Sequence, residues 1–377
     1  MHAIAVGGGI GGLAAAAGLH RVGWTVTVLE KAPEFGDVGA GISLWPNALR
    51  ALDELGVDLG ERLAPQRDGG FRDRRGRRIT RFDGAEFARR HGRSLGAIHR
   101  RDLIAALRDA VPAGSLRTGA EVTEVREDGT VRVGGEELRA DLVVAADGIH
   151  SRVRHALFPD HPEPVYSGST AFRGVAHLPG TPLSTSFDRG TEVGVLPLSG
   201  GDVYWWLSTL AKPGTGKADL EPAFANWHDP IPALMAATPP EAVLHHDLYY
   251  LGTPLPGYTR GRIALLGDAA HAMPPFLGQG GCQAIEDAVV LAHAVSTQDM
   301  ENALESYDRT RRPRSQRVVR ESVRMGKLGP QLSNPVATAL RTAALKCLPG
   351  TVTARVGAGI TGWTPPRLPR PAPPRTP

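Results

Sequence analysis

GRIALLGDAAHAMPPFLGQGGCQAIEDA, residues 261–288, contains a short apolar strand (263–266) that stops at Gly267-Asp268. A Pro- and Gly-rich loop follows, then a helix from about Gln283. Far upstream the chain opens with MHAIAVGGGIGGLAAAAGL, residues 1–19. Residues 3–6 read as a buried strand, 13–21 as a helix and 25–29 as a second buried strand, which is the βαβ order. Uninterrupted apolar strands of this kind belong to a parallel sheet covered on both faces. The strand near Ile263 therefore has to rejoin a sheet begun at Ala3, with everything between threaded through it.

Apolar residues recur at helical spacing in 47–55 and in 100–111, the latter ending at Pro112. Residues 119–135 alternate, with turns at Asp128-Gly129 and Gly134-Gly135, and predict short antiparallel strands. Residues 141–146, DLVVAA, form another buried strand, which stops at Asp147-Gly148. From about Tyr166 to Tyr258 the character changes. TAFRGVAHL, TEVGVLPL, DVYWWLSTL and HHDLYYLG are alternating or aromatic strands of an antiparallel sheet, read as the wall of a substrate chamber. Residues 284–295 and 301–326 are helical in pattern, and the Pro- and Arg-rich end from Thr364 reads as an unstructured tail.

Length and composition suit a soluble multidomain protein: 377 residues, 41% hydrophobic and 22% charged. A net charge of +4 and a pI near 9.3 are too mild to mark a nucleic-acid partner. Much of the excess lies in RDGGFRDRRGRRITR, residues 67–81, whose plain reading is a solvated hairpin; a funnel for an anionic substrate or pyridine nucleotide is the alternative. Cys282 and Cys347 alone build neither a disulfide framework nor a metal site, so no metal is expected and a cytoplasmic location fits. No apolar run reaches the length of a membrane span.

The chemistry sits at the strand ends. Gly7-x-Gly9-x-x-Gly12 follows a strand and opens a helix, the context a dinucleotide fingerprint requires. Gly7 permits the turn, Gly9 the approach of a pyrophosphate, and Gly12 close helix–strand packing; the helix N-terminus faces the phosphates. Glu30, ending the second strand, is placed for ribose hydroxyls. By itself the fingerprint leaves FAD and NAD open. Asp268 at a strand's carboxyl end suits a hydroxylated chain such as ribityl, although a helix N-cap is the plain alternative. Pro274, Pro275, Gly278, Gly280 and Gly281 make a stiff, Cβ-poor loop that can lie against a ring system, and the following helix N-terminus would stabilise negative charge on it.

On these segments, with DLVVAADGIHSRVR (141–154), the chain resembles the class A flavoprotein monooxygenases, the p-hydroxybenzoate hydroxylase-like group. The resemblance covers almost the whole chain. GISLWPNALRAL (41–52) and GQGGCQAIEDA are most similar to the urate-hydroxylase and zeaxanthin-epoxidase branches. It implies tight, non-covalent FAD contacted by Gly7, Gly9, Gly11, Gly12, Glu30, Lys31, Ser43, Arg100, Val122, Asp147, Asp268, Pro274, Gly278, Gln279, Gly280, Gly281 and Cys282. Arg100 matches the arginine that reaches the pyrophosphate, with Arg101 one position away. Asp147-Gly148, with Ser151 and Arg154, matches a segment associated with FAD and the nicotinamide reductant; a strand-end turn is the plain alternative. No second fingerprint occurs, so NAD(P)H would visit without a Rossmann site of its own.

The resemblance further implies an FAD-dependent monooxygenase that uses NAD(P)H and O2, through a flavin C4a-hydroperoxide, to hydroxylate or epoxidise a small aromatic or polycyclic substrate. A flavin reductase or dehydrogenase on the same fold, or a flavin-bearing protein without catalysis, is the rival. Tyr204 and Arg173 are the candidate catalytic residues, against ordinary sheet packing; alternation puts Tyr204 and Trp206 on one face and Trp205 on the other. Glu192 stands where the urate-hydroxylase branch carries an arginine, which speaks against urate. Cys282 reads as a slot filler rather than a redox group.

The expected fold class is α/β: a Rossmann-like FAD-binding domain with an inserted antiparallel β-sheet substrate domain and C-terminal helices. The FAD-binding domain takes residues 1–65, 99–165 and 261–330. The substrate side takes the strands and hairpin of 66–98 and the sheet of 166–260. A helical segment (331–363) and the disordered tail (364–377) follow.

Overall fold

The computed structural model describes residues 1–35, 40–216, 226–347 and 358–369. His2–Val6 lies inside a six-stranded sheet, flanked by Leu142–Ala145 and Thr25–Leu29, both parallel to it. Ile263–Leu265 joins beyond Leu142–Ala145 with Ile263 opposite Val143, so the late segment does return to the sheet begun at the N-terminus. Leu116–Arg117 and Thr259–Arg260 form the edges. Ala3 to Val6 and Leu142 to Ala145 are buried throughout, which is why these strands lack alternation. The helices Ile10–Arg21 and Gly280–Thr297 pack against each other over the sheet. Both begin earlier than their apolar pattern suggests, because glycines occupy their first turns.

The second sheet has seven strands, in the order Leu244–Tyr250, Val165–His177, Asp202–Leu210, Thr191–Pro197, Leu183–Asp188, Asp68–Asp73 and Phe82–Asp83. Neighbours are antiparallel apart from Leu183–Asp188 with Asp68–Asp73. One face, with Phe172, Val195, Trp205 and Leu207, packs on the helix Ile231–Ala236 and Trp227. The other carries Tyr204 and Leu196 toward Ala40 and Ala97, where Gly41–Leu44, Gly96–His99 and Ala64–Pro65 form a small sheet. A Cβ on Gly41 would come within 2.5 Å of Tyr204, so the two layers meet there. The alternation read for Tyr204, Trp205 and Trp206 is what the structure has.

Two expectations change. Residues 66–98 hold a helix, Gly84–His91, besides strands; Asp83 caps it by accepting the Glu86 N–H at 2.9 Å, and the D-x-x-E spacing is its signal. The tail is not free from Thr364. Leu368 is buried, its N–H donates to Glu54, and the Arg367 carbonyl meets His293, so side-chain burial overrides the Pro-rich composition as far as Pro369. Residues 370–377 lie outside the described residues. The arginine-rich hairpin is laced by pairs, Arg74–Asp188, Arg77–Asp73 and Arg81–Asp68, which fits the solvated reading. Among the described residues no helix is long and apolar enough to cross a membrane.

Candidate active site

The first turn of the N-terminal helix is shaped by backbone proximity. A Cβ on Gly12 would lie 1.9 Å from the Gly7 carbonyl oxygen, and one on Gly7 (φ +103°) 2.4 Å from that of Ala146. A Cβ on Gly9 would meet nothing within 4 Å, so that side of the turn is left clear. The helix starts at Ile10 with no side-chain cap on its N–H groups, a donor set suited to a phosphate. Glu30 accepts the Gly8 N–H at 2.7 Å and the Ala32 N–H at 2.9 Å, which fixes its carboxylate beside the turn. Lys31 is exposed next to it.

Across the sheet, Gly267 (φ 62°, ψ −137°) turns the chain so that Asp268 opens the short helix Asp268–His271. Asp268 makes no side-chain cap there, so the N-cap alternative is not what the structure has. Its carboxyl is open to the cleft yet ringed by protein; burial raises its pKa, with His271 and Arg100 acting against the rise. Arg100 faces the same cleft, its pKa lowered by burial and by Arg173 while Asp268 opposes. Arg101 instead lies beside Asp102 with 54% of its side chain exposed, away from the Asp268 and Tyr204 groups that act on Arg100.

Gly278 (φ +60°) and Gly281 carry the loop past Ser43 and Ile42: Cβ atoms would come within 2.7 Å of Ser43 Oγ and 2.9 Å of Ile42 Cδ1. Pro274 is held by its carbonyl, which accepts the Ser322 hydroxyl at 2.5 Å. Cys282 is fully buried and its thiol pushed up to about 12 by that burial, so it fills a slot as an inert group. Gln279 is drawn into a buried cluster through the Asn47 amide, and Val122 lies on a three-stranded sheet next door. Asp147 accepts the Ser151 hydroxyl at 2.6 Å and the Val153 N–H at 3.2 Å, so its carboxylate shapes its own turn. Arg154 from that turn is buried and donates to the Ala269 carbonyl, tying it to the Asp268 segment.

On the substrate sheet, Arg173 pairs across from Trp206, and its guanidinium acts on the Tyr204 phenol. Burial raises the Tyr204 pKa; Arg173 and Arg100 pull it back down. Tyr204 and Arg173 are thus brought to the same cleft as Arg100 and Asp268. Sequence reasoning missed His246, which joins them from the edge strand: burial, Arg173, His245 and Arg100 all lower its pKa. It also missed the support beneath Asp268. Asp287 accepts the Gly267 N–H at 3.0 Å and His271 Nε2 lies 2.6 Å from it, while Arg311 donates to Asp287 and Glu286 at 2.6 and 2.5 Å. An acidic pair inside the apolar run of residues 284–295 was the available signal.

Glu192 lies on this face too, and burial pushes its carboxyl up to about 7. Between its ordinary value of 4.5 and about 7 the folded chain keeps a proton that the unfolded chain has released, so stability falls as pH rises through that window. From pH 5 to pH 8 the wild type is expected to lose roughly 2–3 kcal/mol more than Glu192→Gln, measured by urea unfolding. Equal slopes for both proteins would rule this out.

The sequence profile of the FAD binding domain family matches residues 1–217 and 252–322. The chain belongs to that family. This FAD-binding enzyme is 38% identical over 339 residues to aurachin C monooxygenase/isomerase of Stigmatella aurantiaca, covering 86% of this chain and 88% of the relative. It is 35% identical over 389 residues to a salicylate hydroxylase of Pseudomonas putida, covering 89% and 87%. Among solved structures, Klebsiella pneumoniae HpxO complexed with FAD and uric acid superposes with a TM-score of 0.89 at 31% identity, covering 96% of each chain. The chain is an FAD-dependent monooxygenase of this group, and FAD is its cofactor.

Proposed function

We propose that the enzyme uses NAD(P)H and O2 to hydroxylate or epoxidise a small aromatic or polycyclic organic molecule. The observation that carries this is the meeting of Asp268 and Arg100 from the first sheet's side with Arg173, Tyr204 and His246 from the second, in one cleft. When bound, FAD supplies the electron transfer and the activation of oxygen. The chain's own residues bind, orient and exclude water. Gly7, Gly9, Gly11 and Gly12 with Arg100 hold the pyrophosphate, while Glu30 and Lys31 hold the adenosine end. Asp268 takes the ribityl chain. Ser43, Pro274 and residues 278–282 flank the ring, and Val122 and Asp147 line the approach. Tyr204, with its phenol steadied by Arg173, orients a substrate hydroxyl or carbonyl, and the aromatic wall keeps water out.

The same reading assigns residues 1–65, 99–165 and 261–330 to FAD and residues 66–98 and 166–260 to the substrate. Two unpaired cysteines suit a reducing cytoplasm. The test is NAD(P)H oxidation by the FAD-loaded enzyme under labelled O2, with a panel of aromatic and heteroaromatic compounds. Substrate-stimulated turnover that places one labelled atom in the product is expected. Equal substrate consumption without oxygen would put a reductase in its place.

A further inference from the structure

The inner face of the seven-stranded sheet ends in two polar side chains, Glu192 and Ser208, with unused hydrogen-bonding capacity among the described residues. Glu192, Gly194 and Leu196 alternate onto the face that carries Ser208, Trp206 and Tyr204, through the register pairs Glu192 with Ser208, Gly194 with Trp206 and Leu196 with Tyr204. Gly194 has no side chain because the indole lies over it: a Cβ there would come within 1.9 Å of the Trp206 ring. Laid across that strand, the indole stacks on Tyr204 with centroids 5.7 Å apart and donates Nε1–H to Glu192 Oε1 at 3.1 Å. Glu192 Oε2 accepts no hydrogen bond among the described residues. The Ser208 side chain opposite, 1% exposed, has an oxygen without a partner among the described residues. Arg341 acts on Glu192 from the same sheet face but makes no ion pair with it; its guanidinium lies over Phe187, the register partner of Glu192, and donates to the Gly329 carbonyl at 2.7 Å.

The Trp206 ring face, bordered by the Glu192 carboxyl and the buried Ser208 hydroxyl, unpartnered among the described residues, suits a planar ligand with a donor on its rim, since buried polar groups such as Ser208 are normally satisfied. We propose that Glu192, aligned by the Trp206 indole beside Ser208, is the specificity-determining acceptor of the substrate chamber and selects a neutral heteroaromatic ring bearing an N–H over one bearing a carboxylate. This rests on the reading of that sheet face as the substrate wall. A lactam-type ring can stack on Trp206 while its in-plane N–H points at Glu192, whereas a carboxylate brought to the same place meets like charge once Glu192 is ionised, above about pH 7. The cationic residues Arg173 and Arg100 sit toward Tyr204, where the ring's carbonyl edge would then lie. Burial lifting the Glu192 carboxyl to about 7 shows how little its present surroundings neutralise it, and a donor from the ligand supplies what is missing.

The test titrates FAD-loaded protein with 2-quinolone, N-methyl-2-quinolone and quinoline-2-carboxylate, reading Kd from flavin absorbance and tryptophan fluorescence. For the wild type, N-methylation is expected to weaken binding by about 10-fold or more, and the carboxylate to bind more weakly still. In Glu192→Ala the N-methyl penalty should shrink to about 2-fold or less, and Glu192→Arg should favour the carboxylate. If Glu192→Ala does not fold, Glu192→Gln carries the test, with an N-methyl penalty reduced by about 3-fold or more. An unchanged penalty in the variants, or no 2-quinolone binding to the wild type, overturns the assignment. Labelled-oxygen incorporation separates the two readings. Rings bound without N–H preference but oxygenated would sink the Glu192 role and leave the monooxygenase standing. Rings bound with the preference yet not oxygenated by the wild type would leave Glu192 standing and count against oxygenation.

Discussion

Arg311→Met is expected to cost about 3–5 kcal/mol of folding stability, the range seen when one member of a buried ionic cluster is removed. Arg311 is fully buried on the helix Met300–Leu328 and reaches the helix Gly280–Thr297 at three points. Its guanidinium donates to Asp287 Oδ1 at 2.6 Å, to Glu286 Oε2 at 2.5 Å and to Gln283 Oε1 at 2.9 Å. Burial alone would raise the Asp287 carboxyl; His271, Arg311 and the Gly267 N–H outweigh it and hold the group below the usual range. Without Arg311, Asp287 loses an ionic partner and Glu286 keeps Arg314, Asn47 and Gln283. Because Asp287 also accepts the Gly267 N–H, the turn presenting Asp268 should loosen and FAD be released more readily. Urea unfolding with and without excess FAD measures both effects. Adding Asp287→Asn to Arg311→Met removes the stranded charge and should recover part of the loss. A drop under about 1 kcal/mol for Arg311→Met would show that the cluster does not hold this corner of the fold.

This cluster also marks where sequence reading stops. Features dictated within a few residues were legible. Gly7, Gly9 and Gly12 are required by backbone contacts local to one turn, and Tyr204, Trp205 and Trp206 sort by the two-residue period of a strand. The pairing of Arg311 with Glu286 and Asp287 joins two helices, and nothing near Arg311 in a highly charged helix distinguishes it from its exposed neighbours. His246 escaped for a different reason. Its strand pairs with Val165–His177 across a register irregularity between Tyr166 and Thr170, so the face it occupies could not be counted from the pattern. Arg100 and Arg101 differ only by one step at a helix start, and the entry of the chain after His99 decides which one turns inward. The docked residues 364–369 were hidden by composition: a Pro-rich stretch reads as free chain unless a few apolar side chains, here Leu368 and Pro365, find a surface.

Asp268→Ala is expected to weaken FAD binding by roughly 10- to 100-fold, the equivalent of losing one hydrogen bond to a charged acceptor, about 1.5–3 kcal/mol. The flavin-free protein should respond in the opposite direction. Surrounding protein raises the Asp268 pKa, with His271 and Arg100 only partly offsetting it, and because the side chain is exposed to the cleft its ionised form is a small cost to the folded chain in the absence of a donor-bearing ligand. By linkage, a raised carboxyl pKa means stability is lost as pH rises from the usual carboxylate value through the folded one. The alanine variant lacks that loss, so its flavin-free form should be at least as stable as wild type at neutral pH, with a shallower decline toward it from acid. Asp268→Asn separates charge from shape. It keeps a carbonyl acceptor without the charge and should fall between wild type and alanine in FAD affinity while matching alanine in its pH profile. Fluorescence titration of the flavin-free proteins with FAD, paired with urea unfolding from pH 4 to pH 8, reads both quantities. If Asp268→Ala retained FAD as tightly as wild type, the ribityl assignment would fall. If it instead lost stability without FAD, Asp268 would be holding the turn rather than the cofactor.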